Sequence, residues 1–284
     1  MTDHDQSLLD LSALRQSLAG DVHDDALHCA MLATDGSIFS VRPLGVVYPR
    51  STTDVRRTVR FAAAHNLTLH ARGAGSGLCG GALGRGLVVD FTRYMNRLIR
   101  LDKTAKTFEC EPGYRFGELQ ALLKGQGLFF PPDPSSGEYA TFGGMLGTNA
   151  SGAHSVKYGN VADYIEDAEV VLGTGDVIHL SDIMKRARGD LPENLRRLAA
   201  LYEDHAEQIQ AAYPDTPYNS AGYNLRGLVQ NGQLDLRRLL AGAEGTLGIV
   251  TRLKFRLRDR PPFDSLVVAY MDDVVASARA TRRI

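Results

Sequence analysis

The chain of 284 residues carries a net charge of −1, and 44% of its residues are apolar and 23% charged. This composition is typical of a soluble globular protein of one or two domains and provides no basic surface for nucleic acid. No apolar run approaches the roughly 18 residues of a membrane-spanning helix. The acidic N-terminus does not resemble a secretory signal, so we expect a cytoplasmic protein. The widely spaced Cys29, Cys79 and Cys110 argue against a disulfide framework, a zinc knuckle or an iron–sulfur cluster.

The first part of the chain alternates between helix and strand patterns. Leucines at helical spacing predict a helix over 7–19, and a short apolar run predicts a strand over 45–49. N-cap side chains then open a helix that ends at Asn66, and the next strand covers 67–71. The order strand, helix, strand predicts a small parallel, right-handed βαβ unit.

A glycine-rich loop follows this unit. Residues 71–81 read Ala-Arg-Gly-Ala-Gly-Ser-Gly-Leu-Cys-Gly-Gly, and such a run can turn its backbone N–H groups towards one phosphate, with Arg72 as a cationic donor. Residues 75–80 match G-x-G-x-x-G, but the next strand, 87–91, follows too soon for the helix that a Rossmann site requires. We therefore predict a phosphate loop of another type; the alternative is a mobile glycine linker.

The middle of the chain mixes hairpins, helices and a second glycine segment. A hairpin is predicted over 98–101 and 107–110, with a helix over 116–123. Residues 131–152 then combine prolines, five glycines (Gly143, Gly144 and Gly147 among them), hydroxyl and amide groups, and apolar side chains. A site for a flat heterocycle that carries a pyrophosphate needs this mixture. A purely structural Ω-loop is the alternative.

The last part of the chain holds a third glycine segment. After a hairpin over 165–172 and 177–180 and a helix over 193–212, residues 242–251 read Gly-Ala-Glu-Gly-Thr-Leu-Gly-Ile-Val-Thr and lead into a strand. Glycine in such a strand lets another group approach the backbone closely. A further strand over 265–271 and a helix over 272–283 complete the pattern.

The three glycine segments, in this order, resemble the flavin-binding domain of the vanillyl-alcohol oxidase and p-cresol methylhydroxylase (PCMH) superfamily. The most similar members are the bacterial D-lactate, glycolate and D-2-hydroxyglutarate dehydrogenases, and the resemblance runs from about residue 43 to 260. The matching segments are ARGAGSGLCGG (71–81), PPDPSS (131–136), TFGGMLGTNASG (141–152), KYGN (157–160) and GAEGTLGIVT (242–251).

The resemblance implies an α+β chain with the PCMH-type FAD-binding fold, in which FAD lies between two α/β subdomains. It divides the chain into an N-terminal helical segment (1–42), FAD-binding subdomain 1 (43–110), FAD-binding subdomain 2 (111–260) and the start of a truncated cap domain (261–284). The cap, which binds the substrate in the family, is largely missing. No catalytic residue is assigned, because the base and the substrate-binding arginine of the family lie in that cap.

The resemblance also implies which residues bind FAD. The first segment would hold the pyrophosphate, the second would line the ribityl and ring region, and the third would meet the adenine side and the flavin. The predicted cofactor-binding residues are Arg72, Gly73, Ala74, Gly75, Ser76, Gly77, Asp133, Ser136, Thr141, Gly143, Gly144, Gly147, Asn149, Ser151, Gly152, Glu244, Gly248, Ile249 and Val250. We expect noncovalent FAD, because the glycine-rich loop contains no histidine and Cys79 is interpreted as a small packed thiol.

No metal site is predicted, because no two histidines have the i, i+4 spacing of a helical metal site. For His154, just after the second glycine segment, contact with the flavin is the less favoured of two interpretations. The histidines interpreted as surface or interface residues are His4, His23, His28, His65 and His205.

The function implied by the resemblance is oxidation of a small 2-hydroxy acid to the 2-oxo acid, with hydride transfer from Cα to flavin N5. The identity of the electron acceptor is not assigned. The implied partners are a C-terminal cap or an iron–sulfur domain, either in the full-length protein or in a partner chain. Two alternatives are a non-catalytic flavin-binding subunit or fragment, and another flavin oxidase or reductase on the same scaffold. We expect the protein to be located in the cytoplasm; the alternative is peripheral contact with the inner face of the membrane.

Overall fold

The computed structural model describes residues 10–216 and 220–283. The predicted start of the first helix, residues 7–9, lies outside the described residues. Helices and β-sheets are mixed, so the predicted α+β character is confirmed. None of the described helices has the length and apolar content needed to cross a membrane.

A four-stranded sheet forms the N-terminal part of the fold. Its strands are β1 (Asp21–His23), β2 (Gly45–Tyr48), β3 (Leu69–Arg72) and β4 (Leu87–Asp90). The helices of this region are α1 (Ser12–Ser17), α2 (Ala26–Met31) and α3 (Thr52–Ala64). The strand order is β1-β2-β4-β3, and β4 runs parallel to both of its neighbours. The βαβ unit is therefore parallel as predicted, with β4 inserted between its two strands.

A five-stranded antiparallel sheet forms the larger part of the fold, in the order β5-β6-β12-β8-β9. Its strands are β5 (Leu98–Asp102), β6 (Thr107–Cys110), β8 (Ile165–Val171), β9 (Val177–His179) and β12 (Ile249–Arg256). Two further pairs form two-stranded sheets: β7 (Leu128–Phe129) with β13 (Arg258–Asp259), and β10 (Val229–Gln230) with β11 (Gln233–Leu234). The helices are α4 (Phe116–Leu123), α5 (Phe142–Gly147), α6 (Ser155–Tyr158), α7 (Leu180–Lys185), α8 (Glu193–Asp204), α9 (Ala206–Ala212), α10 (Arg237–Leu240) and α11 (Val274–Thr281).

Aromatic packing fixes the second glycine segment against this larger sheet. Phe142, the first residue of α5, is fully buried. Its ring centroid lies 4.9 Å from that of Phe108, 5.3 Å from that of Phe130 and 5.5 Å from that of Phe255. Such clusters contribute offset and edge-to-face contacts in addition to apolar burial. The glycines that follow Phe142 are thereby anchored to the aromatic core of the larger sheet.

A partly buried polar cluster joins α3 to the five-stranded sheet. Thr52 at the start of α3 donates through its hydroxyl to Glu169 of β8 (2.6 Å), and Thr251 of β12 donates to the same oxygen (2.7 Å). His179 of β9 lies 3.5 Å from the other carboxylate oxygen. Burial favours a higher pKa for Glu169, but these hydrogen bonds and the charges of His179 and Arg252 hold that pKa below its ordinary value.

Replacing the carboxylate of Glu169 should weaken the contact between α3 and the five-stranded sheet. We expect Glu169→Gln to lower the free energy of unfolding at pH 7 by about 1–2 kcal/mol, since charge-assisted hydrogen bonds are the stronger ones. A lowered pKa in the folded state means that this stability is present above the unfolded pKa and is lost as the pH falls through the folded pKa. Urea unfolding between pH 7 and about pH 3 should show the gap to wild type closing in acid. The exposed Glu207→Gln serves as the control; an equal effect at both sites would contradict the prediction.

Two predicted elements of the second half differ from the structure: the helix is divided, and the strand does not form. The helix expected over 193–212 is interrupted at His205 and forms α8 and α9. Residues 265–271 form no strand: Leu266 is 88% exposed and Tyr270 is 94% exposed. Their apolar pattern has no neighbouring strand among the described residues, and a strand without a partner leaves its backbone groups unpaired.

The division of the chain into four segments stays a prediction. Strand pairing favours one change to it, because β5 and β6 belong to the five-stranded sheet through pairing with β12. We therefore propose that the boundary between the two subdomains lies before β5, between residues 91 and 98, rather than at residue 110.

Candidate functional site

A cavity of about 500 Å³ lies where the three glycine segments meet. The first segment follows β3, the second includes α5, and the third precedes β12. All but three of the predicted cofactor-binding residues line it. These lining residues are Arg72, Gly73, Ala74, Gly75, Ser76, Gly77, Ser136, Thr141, Gly143, Gly144, Gly147, Asn149, Ser151, Glu244, Gly248 and Val250. Apolar cover comes from Phe91, Met145, Leu146 and Leu240.

Asp133, Gly152 and Ile249 do not line the cavity. Asp133 accepts hydrogen bonds from the backbone N–H and the Nδ1 of His154 (3.2 and 2.6 Å), and a Cβ on Gly152 would lie 2.0 Å from the carbonyl oxygen of Asp133. These residues fasten the end of the second segment. Ile249 is buried in the apolar cluster between the sheets. His154 is likewise absent from the cavity wall.

The glycine-rich loop is braced from behind by residues 34–36. Gly36 donates its N–H to the carbonyl of Gly75 (2.8 Å), and Arg72 donates through Nη2 to the carbonyl of Thr34 (2.9 Å). Gly75 has a φ of +67°, and a Cβ there would lie 2.5 Å from Nη2 of Arg72. Glycine is thus required at position 75 by both backbone conformation and space.

The guanidinium of Arg72 is the feature that fits an anion. The residue is 8% exposed, and its Nη1 is buried with no hydrogen-bond partner in the structure. A buried charged donor without a partner is costly, and a phosphate oxygen would satisfy it. Burial raises the pKa of the neighbouring Asp90, while the hydrogen bonds from Thr92 and the charge of Arg72 act in the opposite direction. The site therefore fits a group that carries a phosphate.

Glycines within the first and second segments allow close packing against neighbouring parts of the chain. The hydroxyl of Thr141 caps α5 by accepting from the N–H of Gly144 (3.4 Å). A Cβ on Gly73 would lie only 2.0 Å from that hydroxyl oxygen, and one on Gly143 would lie 2.7 Å from Pro112. By contrast, a Cβ on Gly77 would meet nothing within 4 Å. Gly73 is therefore required where the first segment packs against the second, and Gly143 is required where the second segment packs against Pro112.

The third segment is bonded to the second and touches the first. Glu244, with a φ of +50°, donates its backbone N–H to the carbonyl of Gly147 (2.9 Å). Gly242 donates to the carbonyl of Leu146 (3.0 Å). The carboxylate of Glu244 lies against Gly81, where a Cβ would be 2.4 Å from Oε2. The three segments thus form one interlocked wall around the cavity.

Sequence reasoning missed several residues of the cavity wall. Thr148, Ala243 and Gly245 line the cavity from within the quoted motifs. Ser220 lies in a separate segment, whose Tyr223 hydroxyl is 2.7 Å from Oγ1 of Thr246. The run Ser-Ala-Gly-Tyr-Asn at 220–224, a polar run with a glycine, was the available signal for this segment.

Known proteins match this chain over regions that include the glycine segments. Residues 43–181 match the family described as FAD binding domain. The chain is 32% identical over 258 residues to D-2-hydroxyglutarate dehydrogenase of Pantoea ananatis, covering 87% of this chain and 25% of that protein. It is 31% identical to glycolate oxidase subunit GlcD of Bacillus subtilis, covering 85% of this chain and 43% of the relative. The chain thus spans less than half of the length of either relative.

A solved structure shares the fold. 6-Hydroxy-D-nicotine oxidase from Arthrobacter nicotinovorans superposes with a TM-score of 0.59 at 23% identity, over 86% of this chain and 43% of that one. The likeness confirms the predicted PCMH-type fold. The match of residues 43–181 to the FAD binding domain family confirms the resemblance that the glycine segments predicted.

Proposed function

We propose that this chain is the FAD-binding part of an oxidoreductase that oxidises a small 2-hydroxy acid to the 2-oxo acid. The observation that carries the proposal is the partnerless Nη1 of Arg72 at the base of the glycine-rich loop. FAD supplies the hydride-accepting ring when it is bound. A position in the cytoplasm, with or without contact to the inner face of the membrane, belongs to the same proposal.

The lining residues have distinct tasks in this proposal. Arg72 and the backbone of residues 73–77 bind the pyrophosphate, since stripped backbone and a forked cation suit phosphate oxygens. Met145 and Leu146, both buried in α5, exclude water from one side of the ring region. Gly248 and Val250, at the beginning of β12, present backbone to the ring edge.

The substrate class rests on the names of the relatives. D-2-hydroxyglutarate dehydrogenase and a glycolate oxidase subunit both carry the name of a 2-hydroxy acid, which favours an α-hydroxy carboxylate for this chain. The choice among D-lactate, glycolate and D-2-hydroxyglutarate depends on the groups that contact the substrate beyond Cα. Because the relatives are much longer, those groups are proposed to lie in a cap or in a partner chain.

Titration with a ligand series tests the cofactor assignment. Flavin-free protein should bind FAD more tightly than FMN, and FMN more tightly than riboflavin, because the proposed contacts at Arg72 are to phosphate. Quenching of flavin fluorescence gives the three affinities. Equal affinities for FAD and riboflavin would show that the loop does not bind the pyrophosphate.

The bound flavin should be attached noncovalently. Among the described cavity residues there is no histidine. The one thiol there, that of Cys79, is exposed and not packed as we expected. Acid precipitation should therefore release all of the yellow colour into the supernatant, and Cys79→Ala should bind FAD as the wild type does. Colour retained in the wild-type pellet and lost in that variant would establish a cysteinyl link instead.

A further inference from the structure

A group of nitrogen and oxygen donors lies away from the flavin cavity, where β1 meets α2. His23 ends β1, Asp25 is the N-cap of α2, and His28 lies three residues further on the same side of that helix. One donor atom from each residue lies within 4.8 Å of the other two. Because a strand and a helix contribute these residues, the i, i+4 rule for helical sites does not detect them.

The separations between these donors match those in a metal site. Oδ2 of Asp25 lies 2.8 Å from Nδ1 of His28 and 3.5 Å from Nδ1 of His23. With metal–ligand distances near 2.0–2.1 Å, ligand atoms around one zinc ion are about 3 to 3.5 Å apart. The separation between Asp25 and His23 falls in this range and that between Asp25 and His28 is slightly shorter, so a small displacement lets these atoms share an ion.

The backbone orients the carboxylate for this role. Oδ1 of Asp25 accepts the N–H groups of Leu27 and His28, each at 3.1 Å. This capping leaves Oδ2 turned towards the two imidazoles. An outer hydrogen bond that fixes a ligating group is a regular feature of metal sites.

The two imidazoles stack in parallel, with ring centroids 3.6 Å apart and an angle of 10° between the planes, so one ring must turn for both to direct a nitrogen lone pair at the same ion. Tyr48 packs its ring edge-on against both, at 5.9 and 6.3 Å. An ordinary helix cap explains the contact of His28 with Asp25, but it does not explain His23. The Nδ1 of His23 is too far from the carboxylate for a good hydrogen bond, and its Nε2 is buried without a partner.

We propose that His23, Asp25 and His28 bind one divalent transition-metal ion of the zinc type. Two imidazoles and one carboxylate form a donor set that suits such ions and not Mg²⁺ or Ca²⁺, which prefer oxygen ligands alone. Water completes the coordination. The ion links β1 to α2 and so stabilises the N-terminal part of the fold. The nearby cation Arg15 is paired with Asp24 (3.1 Å).

Calorimetric titration of the chelator-treated protein with Zn²⁺ tests this proposal. The wild type should bind one equivalent and melt at a higher temperature with Zn²⁺, whereas Mg²⁺ should do neither. The variants are His23→Ala, His28→Ala and Asp25→Ser; serine retains an N-cap oxygen but removes the ligating carboxylate. Each should lower the affinity by more than 10-fold, since loss of even an outer-shell partner costs 10–100-fold.

Two controls keep the outcome unambiguous. His205 is exposed, and its Nδ1 lies 3.1 Å from the carbonyl oxygen of Leu201; the variant His205→Ala should bind Zn²⁺ as the wild type does. Far-ultraviolet circular dichroism verifies that each variant is folded. Absence of stoichiometric Zn²⁺ binding by the wild type, or a loss below 10-fold in any folded variant of the three, would overturn the proposal.

Discussion

Substitution of Gly75 by valine should lower the affinity for FAD by roughly 100-fold or more, about 2.7 kcal/mol, without unfolding the protein. The backbone there has a φ of +67°, and a Cβ would lie 2.5 Å from Nη2 of Arg72 and 2.8 Å from its central carbon. Valine must therefore displace the guanidinium that is proposed to bind the pyrophosphate. Contacts between charged groups are worth about 1.5–3 kcal/mol each, so the loss of this donor is sufficient for the effect. Fluorescence titration with FAD measures it.

The control for this substitution is Gly125→Val. Gly125 also has a positive φ, +77°, but a Cβ there would meet nothing within 4 Å, and the residue does not line the cavity. The control thus includes the backbone strain of a branched residue in the left-handed region and leaves Arg72 undisturbed. Should Gly125→Val reduce FAD affinity as much as Gly75→Val, or should Gly75→Val bind FAD normally while folded, the pyrophosphate has been assigned to the wrong loop.

Local patterns were sufficient to find most of the cavity wall. Glycine clusters mark places where the backbone must turn with positive φ or approach another segment closely, and Gly75 and Gly73 meet these two requirements in turn. The brace behind the loop was not predictable. Thr34 and Gly36 contact the loop from nearly 40 residues earlier in the chain, and their own sequence indicates only a turn.

Apolar alternation was a weaker guide than the glycines, because it indicates a strand without specifying its partner. It predicted β2, β3 and β4 correctly but not the insertion of β4 between the other two, since neighbouring order depends on tertiary contacts. The same pattern over 265–271 predicted a strand that the structure does not contain. Pairing, which a pattern cannot provide, decides whether such a segment becomes a strand.

The charges of the cavity bear on what the chain does with bound flavin. Among the described lining residues, the side chains with a formal charge are Arg72 and Glu244. Both lie against the glycine-rich loop: Arg72 donates to Thr34 behind it, and Glu244 contacts Gly81 within it. They therefore belong to the end of the cavity where the pyrophosphate is proposed. The described lining at the ring end offers neither a base for a hydroxyl proton nor a cation for a carboxylate.

We therefore expect that the chain of 284 residues binds FAD but does not oxidise a 2-hydroxy acid at a catalytic rate. A positioned base contributes typically 10²–10⁴-fold, and correct placement of the substrate contributes further. Without both, flavin reduction should be slower than about 10⁻² s⁻¹, compared with the 1–10³ s⁻¹ typical of complete enzymes. Anaerobic mixing with D-lactate, glycolate, D-2-hydroxyglutarate or D-malate should leave the long-wavelength flavin absorbance unchanged, while dithionite should bleach it. Rapid bleaching by any of these acids would mean that residues 1–284 hold a complete active site and that a cap or partner is not required.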